Sequence, residues 1–180
     1  KVGTIKSVYN SCISLRNQGI DAKIINAVGE WSHLDDEIRL DLFKKFNFYN
    51  VLPRKGYINS KFSSVIIFVI SFFPLLLLLK RNEPHFLIIH LITSLPLILK
   101  KFFNLKTSVI LRISGKINFN ILRLFLWKSI SKIITVTSPT NETRADLINK
   151  NIFLEKNIHL IKDPILKKFE KIEIENIDLT

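Results

Sequence analysis

The run FSSVIIFVISFFPLLLLL, Phe62 to Leu79, constrains the chain more than any other feature: eighteen residues without a charge. As a helix it extends about 27 Å at 1.5 Å per residue. That is slightly short of the roughly 20 apolar residues that cross a bilayer. Pro74 would kink it, which bilayers tolerate. Lys61 at one end and Lys80-Arg81 at the other give no orientation bias. Ser64 and Ser71, flanked by Ser63, draw a faint polar stripe along it. Its context decides the reading. Only the short break Lys80–Pro84 separates it from PHFLIIH, a continuous apolar segment of the kind that forms a strand buried on both faces. A spanning helix would place that strand across the membrane from its neighbours, and a sheet could not close. The expectation is a sheet-covering helix whose outer face is also apolar, a surface that docks on a membrane rather than crossing it. A true span at 62–79, in a small membrane protein without enzymatic role, stays open as the alternative.

The rest of the chain alternates helix-like and strand-like segments. Thr4–Gly19 puts Ile5, Val8, Cys12 and Leu15 on one helical face and ends on glycine. DAKIINAVG reads as a short strand, and SHLDDEIRLDLFKKF as a helix capped by Ser32 with acids near its positive end. Phe46–Leu52 reads as a short strand before Pro53. SLPLILKKFF is a helix with Pro96 near its start, KTSVILRISG a strand, FNILRLFLWKSISK a helix and IITVTS a β-branched strand. SPTNETRADLINK opens a helix with Ser138 as cap and Pro139 in first position, and NIHLIKDP is a last strand closed by Asp163-Pro164. Strict alternation with short connections predicts βαβ units: an α/β, Rossmann-like three-layer domain with a parallel sheet, over residues 1–166. The first element is a helix, so a strand is expected ahead of Lys1, with Val2-Gly3-Thr4 ending the loop between them. The sequence contains no Met and reads as a piece of a longer protein. The charged tail 167–180 reads as a linker to a further domain.

The 47% hydrophobic and 23% charged content excludes a disordered chain. The single Cys12 excludes an internal disulfide and a cysteine-cluster zinc site, and its helical setting makes it a small buried apolar residue. The net charge is +12, and from Leu42 to Asn141 there are fifteen Lys/Arg against one acid, Glu83. A segment both basic and apolar suits an anionic membrane surface or a phosphate-bearing substrate. No zinc finger, RNP-like motif or helix-turn-helix accompanies the charge, which argues against nucleic acid. No DxD-like pair, Walker pattern or G-x-S-x-G occurs, so no metal is expected.

Ligands of open parallel sheets bind beyond the carboxyl ends of the strands. His90 ends one strand and is placed to hydrogen-bond a hydroxyl or act as a base. His33 and His159 have weaker positions, and His85 begins its strand. Arg112, Ser114 and Gly115 lie at or just past another strand end, where Gly115 permits a tight turn. Arg112 and Arg123 are suited to bidentate phosphate binding. Trp127 reads as core. Ser138, Thr140 and Thr143 follow the next strand, as helix caps or substrate-contacting hydroxyls.

The ordered set VGTIKSVYNSCISLRNQGIDAKIINAVGEW, PHFLIIH, VILRISG, IITVTSPTNETRADL and IHLIKDPI resembles the N-terminal domain of the GT-B, family 4 retaining glycosyltransferases. No single motif in it is strongly specific; their order and spacing carry the likeness, over nearly the whole chain. The resemblance implies an acceptor-binding half, with a nucleotide-sugar as donor substrate, no further cofactor, and a donor domain elsewhere. It places Gly3 and Thr4 beside the donor phosphates. His90 matches a strand end that is histidine in many members, whereas Ser114-Gly115 stands where members often carry another histidine. His90 and Ser114 are then expected at the chemistry, with Gly3, Thr4, Arg112, Gly115, Arg123, Ser138 and Thr140 binding substrate. The acceptor would be lipid-linked or an envelope polysaccharide, met at the inner face of the cell membrane from the cytoplasmic side.

Overall fold

The computed structural model describes residues 2–43, 47–53, 57–90, 94–115 and 121–164. The expected linker 167–180 lies outside them. The elements run α1 (Val2–Asn17), β1 (Ile24–Asn26), β2 (Arg39–Asp41), α2 (Tyr57–Asn82), β3 (Phe86–Ile89), α3 (Ser94–Phe102), β4 (Ser108–Arg112), α4 (Ile121–Ile130), β5 (Thr135–Ser138), α5 (Asn141–Asn149) and β6 (Ile158–Leu160). All strand pairs are parallel, in a two-stranded sheet β1-β2 and a four-stranded sheet β3-β4-β5-β6. The chain is therefore α/β with parallel sheets, a layout compatible with a Rossmann-like domain.

One face of the larger sheet carries the core. Ile89, Val109, Leu111, Val136 and Ile158 pack against Leu97 of α3, Trp127 and Ile130 of α4 and Leu147 of α5. The opposite face carries Phe86, Ile88, Ile110 and Thr135, placed there by the two-residue alternation and the pairing of Ile88 with Ile110 and Ile110 with Thr135. On it Phe86 and Ile88 are exposed. Among the described residues the three-layer expectation is therefore met only in part, because Phe86 and Ile88 on this second face stay uncovered.

Helix α2 covers the expected slot before β3. Leu75, Leu76 and Leu79 join Leu95 and Leu99 of α3, with Leu87 of β3 and Ile25 of β1 against the same cluster. The two sheets thus share one supporting helix layer. The serines divide differently from the sequence stripe. Ser63 and Ser71 are buried and Ser64 is exposed; the Ser63 hydroxyl donates to the Pro53 carbonyl, and Phe68 packs toward the cluster shared with α3.

Helix α1 ends as expected. Gly19 takes a left-handed φ of +80°, its N–H donates to the Arg16 carbonyl and the Ile20 N–H to that of Leu15, the paired bonds of a Schellman stop. The expected helix in 32–46 is absent from its described part, which forms turns and then β2. Trp31, Leu34 and Ile38 are spaced like one face of a helix, but they are buried against Cys12 and Ile24 from a turn. Side chains hold that turn: Asn26 Oδ1 accepts from the Gly29 and Trp31 N–H groups, and Arg39 donates to the Ser32 and Leu34 carbonyls while pairing with Asp36 and Asp41. Ser32 donates to the Gly29 carbonyl and caps nothing. The described part of the expected strand 46–52 is a 3-10 turn at Phe48–Asn50, capped by Asn47. Helix α5 starts two residues later than expected: Thr140 is the cap, Pro139 precedes it, and Ser138 is the last residue of β5.

Candidate functional site

The carboxyl end of β4 and the segment after β6 meet the flank of α1, and a polar cluster forms there. Arg112, the last residue of β4, is buried, with 8% of its surface exposed. Its guanidinium donates to the Ile161 carbonyl at 3.1 Å and forms an ion pair with Asp163, just beyond β6. The Ser7 hydroxyl of α1 donates to the same carboxylate oxygen. One turn along α1, the Asn10 amide donates to the Pro164 carbonyl at 3.0 Å. Asn10 is also buried, and its Oδ1 has no hydrogen-bond partner among the described residues. A buried amide oxygen left without a donor is an acceptor position for a ligand hydroxyl or a water.

His90 follows β3 directly and is half-buried. Burial, and secondarily the Arg112 charge, lower its pKa to about 4, while Asp163 acts in the raising direction. The imidazole is therefore neutral at pH 7. A group titrating near 4 has little proton affinity for abstraction at neutral pH, so it serves better as a hydrogen-bonding group that orients a hydroxyl.

The structure thus brings His90 and Arg112 together and adds Ser7, Asn10 and Asp163, which the sequence reading had not placed in the site. A signal for Ser7 and Asn10 was available: two polar residues one turn apart on the side of α1 away from Ile5, Val8, Cys12 and Leu15. Ser114 and Gly115 lie past β4, both exposed, with Gly115 at φ +85° as its expected tight turn requires. Gly3 and Thr4 belong to the first turn of α1 rather than to a loop before it. The first turn of a helix still offers backbone N–H groups to an anion. Ser138 is fully buried and donates to the Thr140 carbonyl. Thr140 Oγ1 accepts from the Thr143 N–H as the α5 cap, so both hydroxyls have local structural partners. Arg123 is exposed on α4 with its guanidinium 5.9 Å from the Trp127 ring centroid. Trp127 itself is core, as expected. Cys12 is buried, and burial raises its thiol pKa, which keeps it protonated and unreactive. Among the described residues no group of three His, Cys, Asp or Glu side chains comes together to hold a metal.

No protein-family model matches the chain, and no curated protein or solved structure was found to match it.

Proposed function

We propose that the chain is the acceptor-side domain of a GT-B-type, family 4 retaining glycosyltransferase. In this reading it moves a sugar from a nucleotide-sugar donor to a lipid-linked or envelope-polysaccharide acceptor at the inner membrane surface. The observation that carries the proposal is the His90–Arg112–Asp163 cluster at the carboxyl ends of parallel strands, where such sheets receive ligands. Neutral His90 holds the acceptor hydroxyl, and the unfilled Asn10 Oδ1 takes a second one. Arg112, clamped by Asp163 and the Ile161 carbonyl, fixes the rim of the site on which His90 stands. Gly3 and Thr4 offer first-turn backbone N–H groups on the donor side. The donor site belongs to a second domain in this reading.

The test is sugar transfer by the complete reading frame, using a panel of radiolabelled nucleotide-sugars and a lipid extract as acceptor. His90→Ala and Arg112→Ala are expected to lower transfer by about a hundredfold or more, as loss of positioning does. The 180-residue chain alone is expected to transfer nothing. Robust transfer by that chain, or full activity of both variants, refutes the proposal.

A second reading, a membrane protein spanning at 62–79, is favoured by one observation. Lys61–Asn82 is long and apolar enough to cross a bilayer, and only 28% of its most apolar window is buried. Accessibility of tags placed on either side of α2 separates the two readings, since a span puts them in different compartments.

A further inference from the structure

The outer surface of α2 is an apolar stripe. Phe62, Val65, Val69, Phe73 and Leu77 recur at helical spacing and are all exposed. A second exposed apolar group stands on α4, where Ile121, Leu122 and Phe125 point away from the core that Trp127 and Ile130 enter. Helix α3 lies between the two, packed on both, and its end joins them side chain by side chain. Phe73 meets Phe72 at 5.4 Å, and Phe72 meets Phe103 at 5.8 Å. Phe102, next in the chain and exposed, lies 5.4 Å from Lys101 Nζ, which also stands 5.9 Å from the Phe125 ring. The stripe and the second group are therefore parts of one surface.

Charge identifies what it fits. Lys61, Lys80, Arg81, Lys101, Arg123 and Lys128 are exposed on these three helices. The one acid between Leu42 and Asn141, Glu83, is held by Lys106 at 3.0 Å. Large exposed apolar side chains interleaved with cations and free of acids complement an anionic lipid bilayer, which receives the first in its acyl boundary and the second at its headgroups. A protein partner of ordinary mixed charge gains nothing from such one-sided potential.

We propose that the outward faces of α2, α3 and α4 form one docking surface for an anionic bilayer, with Phe102, Ile121, Leu122 and Phe125 as a second foothold beside the α2 stripe. Two footholds on neighbouring helices of one layer fix the orientation: α2 lies along the membrane plane. The proposal rests on the docking part of the function above and is independent of sugar transfer.

The experiment uses the 180-residue chain with an environment-sensitive fluorophore on a cysteine introduced at position 69 or 122, the buried Cys12 being left in place. Vesicles are phosphatidylglycerol/phosphatidylethanolamine or phosphatidylcholine alone. Both labels are expected to brighten and shift blue on the anionic vesicles and to respond weakly to the neutral ones. Leu122→Glu/Phe125→Glu is expected to lower partitioning by about tenfold or more, the loss of two apolar anchors with added like-charge repulsion. These sites are exposed, and an unchanged thermal melt verifies that the variant folds. A response at 69 with none at 122 overturns the second foothold and leaves the docking reading standing. Silence at both positions overturns both. Equal response to neutral vesicles overturns the assignment to anionic lipid, and oligomerisation lost in the double variant without vesicles present assigns the surface to a second copy instead.

Discussion

Replacing Asp163 by Asn and Arg112 by Met should cost very different amounts, although each removes half of one ion pair. Arg112's side chain is 7% exposed and Asp163's is 40% exposed. In Asp163→Asn the guanidinium stays buried without a counter-charge, retaining its bond to the Ile161 carbonyl. Stranding a buried charge costs about 3–5 kcal/mol. Water reaches the Asp163 end of the pair, which places the expected loss near about 3 kcal/mol. In Arg112→Met the charge leaves the interior with its desolvation penalty. Asp163 is left facing water and still accepts from Ser7, so the expected loss is about 1 kcal/mol, that of a hydrogen bond. Urea unfolding at pH 7, followed by the emission of the buried Trp31 and Trp127, reads both values, provided the denaturant slope stays constant. His90 supplies an internal check by NMR titration: its pKa should fall further in Asp163→Asn and rise in Arg112→Met, since Asp163 raises it and Arg112 lowers it. Equal costs, or a greater cost for Arg112→Met, would refute the reasoning.

His90 should also make the fold acid-sensitive. Its native pKa of about 4 lies below the ordinary 6.5, so the unfolded chain binds the proton first as pH falls. Its contribution is complete above pH 6.5 and is lost between 6.5 and 4, a difference of about 3 kcal/mol that His90→Gln should abolish in pH-dependent melts. Thr140→Ala should cost about 1 kcal/mol through the lost α5 cap, with Thr140→Ser restoring it in thermal melts; unchanged stability would refute the capping role. Gly115→Ala should cost about 1–2 kcal/mol in the same assay, from the left-handed backbone alone, because a Cβ there meets open space.

How much of this was legible in the sequence varied with the kind of signal. Helices α1, α3, α4 and α5 and the strands of the larger sheet were readable from their apolar patterning, since each turns apolar residues into a packed cluster. The segment Ser32–Phe43 was not, because Ser32 followed by Asp35, Asp36 and Glu37 imitates a capped helix start. What overrules them is a set of bonds from Asn26 and Arg39 to backbone groups that periodicity does not register. His90 and Arg112 could be placed from topology alone, as residues at strand ends. Asp163 and Ser7, 156 positions apart, could not, because tertiary contacts alone define their part in the site.

Composition cannot say whether α2 docks or crosses, but the distribution of its burial bears on the choice. Leu79 is 1% exposed and shares a cluster with Leu95 and Leu99 of α3 and Leu87 of β3. The chain leaves α2 at Asn82 and enters β3 at Phe86, so the sheet begins one short turn beyond the helix. To pass through a bilayer, α2 would have to pull Leu75, Leu76 and Leu79 out of that cluster, opening a cavity against α3. Each large apolar side chain withdrawn from a packed core costs about 2–5 kcal/mol, and the lipid repays the transfer of the leucines without refilling the space they leave. A helix laid on the surface keeps all three in place and offers the bilayer only Phe62, Val65, Val69, Phe73 and Leu77, which the fold leaves uncovered. The proposed docking therefore requires no contact to be broken, whereas the span requires the α2–α3 interface to open first.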